Sequence, residues 1–562
     1  MLQTVTHKGG ERANKNKFFV DGLSLQPYDS GQFRHSSHDL ADLPMQVRRD
    51  SGFLSLALLT FSTAAFCQTN AGIVAFANSG SKAAQAPFLH GLALLHSFEY
   101  DFAARDFREA EKIDPEFAMA YWGEAMTSNH PVWNQQNRGA ALAALGKLGA
   151  TPEARLAKAP TEREKDYLRT LDVLYGEGPK ATRDQLYAGA MAELHAKYPD
   201  DLEAAAFYGL ALLGTGEGVR NERTYMQAAA ILMPLFYSHP DHPGVAHYLI
   251  HSCDDPVHAG LALPAARAYS KIAPDAAHAQ HMTSHIFLAL GMWSDVVQAN
   301  VAASRVVNEQ LAVAGKRAAH CGHYNYWLEY GYLETGQAEK AKQVLEGCRA
   351  DATQEGMAAR ARGVVDPDDA ALASYLTMKT RFVIDTAQWN SEVAGWPVPA
   401  SDNPLLQFDV DYLTGFVAAE KGDLDVARKA VADMDLLLPK LPELFDKAGE
   451  PPDEPGRQIP GIERSQVQAL IFAAEGRLDE AIALARKTAG AEMNLPFAFG
   501  PPDPVKPSYE ILAELLMKQN QPREAEDALK LALLRAPNRS QSVTLLARAS
   551  AAASGSTSTA TR

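Results

Sequence analysis

Residues 88–116 read FLHGLALLHSFEYDFAARDFREAEKIDPE. With position 1 set at residue 84, Gly91, Ala103 and Ala110 stand at positions 8, 20 and 27, Phe107 at 24 and Pro115 at 32. Small residues at 8, 20 and 27 let two antiparallel helices approach closely, a bulky one at 24 fills the gap, and proline at 32 stops the second helix. The register recurs. A unit from Pro243 has Ala262 at 20 and Pro274 at 32, one from Ala277 has Gly291 at 15, and one from Gly322 has Gly336 at 15 and Ala341 at 20. Others start near 408, 462 and 506, the last with Ala513, Ala525, Ala532 and Pro537 at 8, 20, 27 and 32. Weaker copies cover 118–150 and 202–241. Self-similarity at this period means stacked helical hairpins rather than a set of globular cores.

The pattern resembles the tetratricopeptide repeat, a helix–turn–helix unit of about 34 residues. That resemblance implies an all-α fold, a right-handed superhelical solenoid of helix hairpins. Its concave groove would be lined by the first helix of each repeat, at positions 2, 5, 9, 12 and 13. It divides the chain into one array over 80–350, a non-repeat insertion over 351–404 and a second array over 405–540. The proline-rich stretch 439–461 reads as a long loop, and the Ala/Ser/Thr tail over 541–562 as disordered.

The length of 562 residues and 46% apolar content allow a large buried core. A formal charge of −15 and the lack of long basic runs exclude a phosphate-backbone binder, so no nucleic-acid partner is expected. Residues 1–44 are polar and aperiodic, either a disordered extension or sequence upstream of a true start at Met45. From Met45, Arg48 and Arg49 lead into an apolar run over 53–66. That is the layout of a secretory signal peptide over 45–67, too short for a confident membrane span. The expectation is an exported protein, periplasmic or secreted, with no transmembrane span in the mature chain; a genuine extension on a cytosolic or tethered protein is the alternative. No CxxC pair occurs. Cys321 and Cys348 would begin and end one hairpin and are the candidate disulfide, with Cys253 left over; three buried thiols are the alternative.

Ten of the 17 histidines, His239, His242, His247, His251, His258, His278, His281, His285, His320 and His323, crowd into 239–323. His247 and His251 are four apart, as are His281 and His285, so each pair shares a helix face. Counted from Pro243, His247 and His251 take positions 5 and 9, and Asp254 and Asp255 take 12 and 13. From Ala277, His278, His281 and His285 take 2, 5 and 9; from Gly322, His323, Tyr326 and Tyr330 do. Neighbouring helices pack about 8–10 Å apart. His247, His251, His281 and His285, with His278 beside them, are therefore expected to hold one or two transition-metal ions, and nitrogen donors suit copper, zinc or iron. Trp122, Asn129 and His130 of the second unit, with Asp255 and His323, are expected as further groove walls. Asp254, Tyr326 and Tyr330 are the candidates for a catalytic role. His239, His242, His258 and His320 fall outside the groove register and read as turn or capping residues. Because protonated imidazole does not bind metal, release is expected below about pH 6.

Other chemistry is missing from the sequence. His247 and His251 lack the glutamate of an HExxH protease, since Tyr248 stands there, and no phosphate-binding loop, GxGxxG or nucleophile elbow occurs. Two functions remain open. One is a metal-binding protein, with hydrolytic or oxidative catalysis undecided; the other is a scaffold whose groove grips a peptide, a protein or a small acidic ligand with no metal.

Overall fold

The computed structural model describes residues 70–361, 370–448, 455–497 and 499–559. The extension over 1–44 and the signal segment over 45–67 lie outside the described residues. Helix pairs stand where the register puts them. Gln85–His96 packs on Tyr100–Ile113, Pro243–Ser252 on Ala259–Ile272, Ala277–Ala289 on Trp293–Val313, and His323–Glu334 on Ala338–Ala361. Downstream the pairs are Pro404–Lys421 with Leu424–Leu437, Ile459–Ala474 with Leu478–Met493, and Ser508–Lys518 with Pro522–Arg535. A Cβ on Gly91 would lie 3.2 Å from the Phe107 ring, so positions 8 and 24 meet as their spacing requires. Among the described residues the strands are a two-residue antiparallel pair, Asn129–His130 with Gln135–Gln136. The fold is an all-α solenoid of antiparallel hairpins.

The segment 351–404 carries helix Ala370–Thr386, which buries Tyr375, Met378 and Phe382 and packs on both His323–Glu334 and Ala338–Ala361. Two other stretches depart from expectation. Within the proline-rich stretch, Leu441–Ala448 is helical. The tail is not disordered over its described length: Ser540–Thr559 is a helix that buries Leu545 and Ala549 against the preceding pair. Its alanines look like low complexity and are also the strongest helix formers, and the buried Ser542 hydroxyl donates to Glu510.

Cys321 and Cys348 form a disulfide, two residues ahead of His323, while Cys253 is buried and free. No helix among the described residues is long and apolar enough to cross a membrane. Two segments outside the repeats fold back onto the array, the first of them onto groove positions Phe88 and Trp122. Phe76 packs on Phe88, Trp122 and Tyr167. From the other end, Phe499 stacks on Tyr225, and Gly500 comes so close to Trp327 that a Cβ would lie 2.7 Å from the indole. One apolar core runs from Ala71 to Ala289 and reaches Trp327 and Tyr330; a second spans Ala341 to Ala549. The clustered histidines border the first core, where His281 and His285 pack on Trp327.

Candidate metal centre

Three first helices position the cluster. Pro243–Ser252 starts at His242, whose Nδ1 accepts from the Val245 amide, with proline at the first helical position. It presents His247 and His251 one turn apart. Ala277–Ala289 presents His278, His281 and His285, and His323 opens His323–Glu334. The side chains meet in two triads, His247–His251–His278 and His281–His285–His323, within each of which the ligand atoms all lie within 4.8 Å of one another. Each triad takes positions 5 and 9 of one repeat and position 2 of the next. The expected four-histidine set is therefore divided differently, and His323, expected as a groove wall, is a member. The triads adjoin, with the His251 and His285 ring centres 6.0 Å apart.

Their hydrogen bonds fix where the lone pairs point. His247 Nδ1 lies 2.6 Å from the His96 carbonyl oxygen, which only accepts, so that nitrogen carries the proton and Nε2 is bare. His281 Nδ1 lies 2.7 Å from Asn300 Oδ1, an oxygen fixed because the Asn300 amide donates to the Val296 carbonyl. His285 Nδ1 lies 2.5 Å from Asp254 Oδ2. His281 and His285 therefore turn bare Nε2 atoms toward each other at 3.0 Å, a contact that needs a cation, proton or metal, between them. Across the other triad His247 and His278 face Nε2 to Nε2 at 3.2 Å. Two nitrogens on one tetrahedral ion with bonds near 2.05 Å stand about 3.3 Å apart. Buried His251 Nε2 and His323 Nδ1 have no hydrogen-bond partner. Donating the second ring nitrogen to a carbonyl, amide oxygen or carboxylate is what fixes a metal-ligating histidine.

Burial, reinforced by neighbouring imidazoles, pushes His247 and His323 down to about 3 and His251, His278 and His281 well below the ordinary histidine value. Burial thus favours the neutral form of these five rings, the form that binds metal.

A third group, His96, Glu203 and His242, has the same compactness and the opposite logic. The Glu203 carboxylate only accepts, so each ring donates to it from Nε2, at 2.7 and 3.1 Å, and His96 Nδ1 and His242 Nδ1 are left to accept from the Tyr248 hydroxyl and the Val245 amide. Burial alone would raise the Glu203 carboxyl; the two imidazoles outweigh it and hold it well below the carboxylate range. Both rings use both nitrogens, so this is a closed hydrogen-bond network with no imidazole lone pair left for an ion. His242 is a capping residue, as expected, but a buried one. The sequence reading passed over His96 and Glu203, although they stand at positions 13 and 2 of their units and were findable there.

Other expected site residues fall elsewhere. Asp255 binds Arg220 and His258. Trp122 is buried between Phe76, Tyr167 and Phe207, because the segment ahead of the first repeat covers it. Asn129 pairs with Gln136 in the short hairpin. His130 stacks on Tyr100 at 3.8 Å, and Trp133 in the same hairpin, missed in the sequence, comes 5.7 Å from the His278 ring. Tyr326 and Tyr330 turn away from the cluster. Their hydroxyls lie 2.7 Å from Arg381 and 3.5 Å from Arg539, so neither keeps a catalytic assignment. Asp254 remains in the site, as the partner of His285.

No protein-family model matches the chain, and no curated protein matches it. Among solved structures, the chain is similar to the APC/C hetero-tetramer Cut9–Hcn1, with 14% identity over 86% of this chain and 79% of that one and a TM-score of 0.33. Yeast Tom70 matches with 12% identity, coverage of 85% and 97% and a TM-score of 0.31. The P58(IPK) TPR domain matches with 14% identity, coverage of 84% and 99% and a TM-score of 0.21. On its own repeat register and helix pairing, the chain is a helical-hairpin solenoid of the tetratricopeptide type.

Proposed function

We propose that the protein binds transition-metal ions, one in each histidine triad. The observation that carries this is the 3.0 Å contact between His281 Nε2 and His285 Nε2, both bare because their other nitrogens are committed to Asn300 and Asp254. The repeated set at positions 5, 9 and 2 supports two sites one repeat apart. All-imidazole donors suit copper, zinc or iron, and copper(II) heads the affinity order for such ligands. The scaffold reading is weaker over the second unit, because the chain's own Phe76 already covers the groove position Trp122. A solenoid of this kind still offers other surfaces to protein partners.

Elemental analysis of protein purified without a histidine tag tests the proposal. Wild type should carry about two equivalents, the His247→Ala/His281→Ala double variant none, and His242→Ala the wild-type amount, with helicity checked by circular dichroism. A folded wild type that takes up no metal even from copper(II) solution sinks it. One equivalent, lost whichever triad is cut, would replace two sites by one.

A further inference from the structure

Among the described residues, no fourth histidine, cysteine, aspartate or glutamate atom joins either triad. The nearby acids are committed: Asp254 to His285, Asp255 to Arg220 and His258, and Glu99 to the His278 backbone amide at 3.3 Å. Structural zinc sites close with four protein ligands, whereas catalytic ones hold three and leave the fourth position to water or substrate. Three neutral imidazoles also leave the charge of a dication uncompensated in a buried place, which favours an anion as the remaining ligand.

The walls set the size of that ligand. The Phe98 ring lies 4.3 Å from His247 and 5.5 Å from His278, and Trp327 lies 4.4 Å from His285 and 5.3 Å from His323. His278 and His323 are only half-buried, whereas the other four are buried, so the residue taken from the following repeat is the side of each triad nearest to solvent. We propose, resting on the metal-binding reading above, that each bound ion keeps a coordination position open at this rim and takes there a small anionic donor of about the size of hydroxide or azide. The triads are then built as sites for exchangeable ligands rather than as structural clasps.

Cobalt(II) reports its coordination number through its visible spectrum, so the cobalt-loaded wild-type protein is the material for the test. With two equivalents bound, azide titration should change the visible bands and saturate while both ions are retained. The His247→Ala/His278→Ala variant should keep one equivalent and show about half the change; the wild-type titration decides the matter whether or not that variant folds. A spectrum indifferent to azide with two ions in place overturns the open position and leaves metal binding intact. Failure to bind cobalt or copper at all overturns the reading beneath it.

Discussion

At the scale of single residues, the distinction that matters is between a histidine whose two nitrogens are both matched by protons and one with a lone pair aimed at another. His96 and His242 are of the first kind; His247, His281 and His285 are of the second. Asp254 is then a positioning residue, holding the tautomer of His285. Asp254→Ala should weaken metal binding by about 10- to 100-fold, read by competition with a chromogenic chelator, while Asp255→Ala should leave two equivalents bound. Equal effects of the two would remove Asp254 from the site. Burial also revises the acid behaviour expected from sequence. His247 has its pKa near 3 in the folded protein against 6.5 in the unfolded chain, so folding favours its neutral form. The stability linked to it is full above about 6.5 and is lost as pH falls toward 3, at about 1.4 kcal/mol per pH unit. His247 resists protonation until the fold itself gives way. Metal loss and loss of helicity should therefore coincide in an acid titration; release near pH 6 from a protein that stays helical would contradict this.

At the scale of helices, backbone contacts explain what the spacing alone leaves open. Gly244, in the first turn of Pro243–Ser252, is one such place: a Cβ there would meet His96 Nδ1 at 2.2 Å. Gly244→Ala should push that helix away from Gln85–His96, disturb the hydrogen bond from His247 Nδ1 to the His96 carbonyl, and destabilise by about 1–3 kcal/mol. Chemical denaturation beside metal analysis checks it, and an unchanged midpoint with full occupancy would show that the helices yield freely. The start of this helix was readable from His242 and Pro243, because a cap and a first-turn proline are local chemistry. So were the pairs from Ala277 and Gly322, whose small residues recur in phase. The grouping of the histidines was not readable to the same degree. Spacing of four joins residues within a helix, but only packed helices decide that His278 completes the triad of His247 and His251, and that His323 completes the next. That a helix starts near Ala370 was readable too, but its docking on His323–Glu334 and Ala338–Ala361 is a matter of tertiary contact, not of period.

At the scale of the whole molecule, closure is what periodicity could not show. The repeats make an array, and non-repeat pieces then tie its far parts together. Arg539, fully buried, donates to Glu510 at 2.9 Å, to Glu334 at 3.1 Å and to Asp385 at 2.6 Å. Those acids lie on Ser508–Lys518, on His323–Glu334 and on Ala370–Thr386, so one guanidinium fastens the end of the second array to the helix that carries His323. Nearby, the Trp293 indole donates to the Asn538 carbonyl, and the Asn538 amide donates to the Leu290 carbonyl, fixing the same seam beside the turn after His285. Removing one partner of a buried ionic network is costly because the others remain buried and unpaired, on the order of 3–5 kcal/mol. Arg539→Ala should therefore lower the unfolding free energy by that amount and loosen the second triad more than the first. Arg539→Lys should restore only part of the loss, since the three carboxylates are met by three separate guanidinium nitrogens and one ammonium nitrogen cannot reach all three positions. Hydrogen exchange locates the effect: faster exchange in His323–Glu334 and Ser540–Thr559, with Gln85–His96 unchanged, is the expected pattern. Uniform acceleration along the chain would mean that Arg539 supports global stability without being the fastener of this seam.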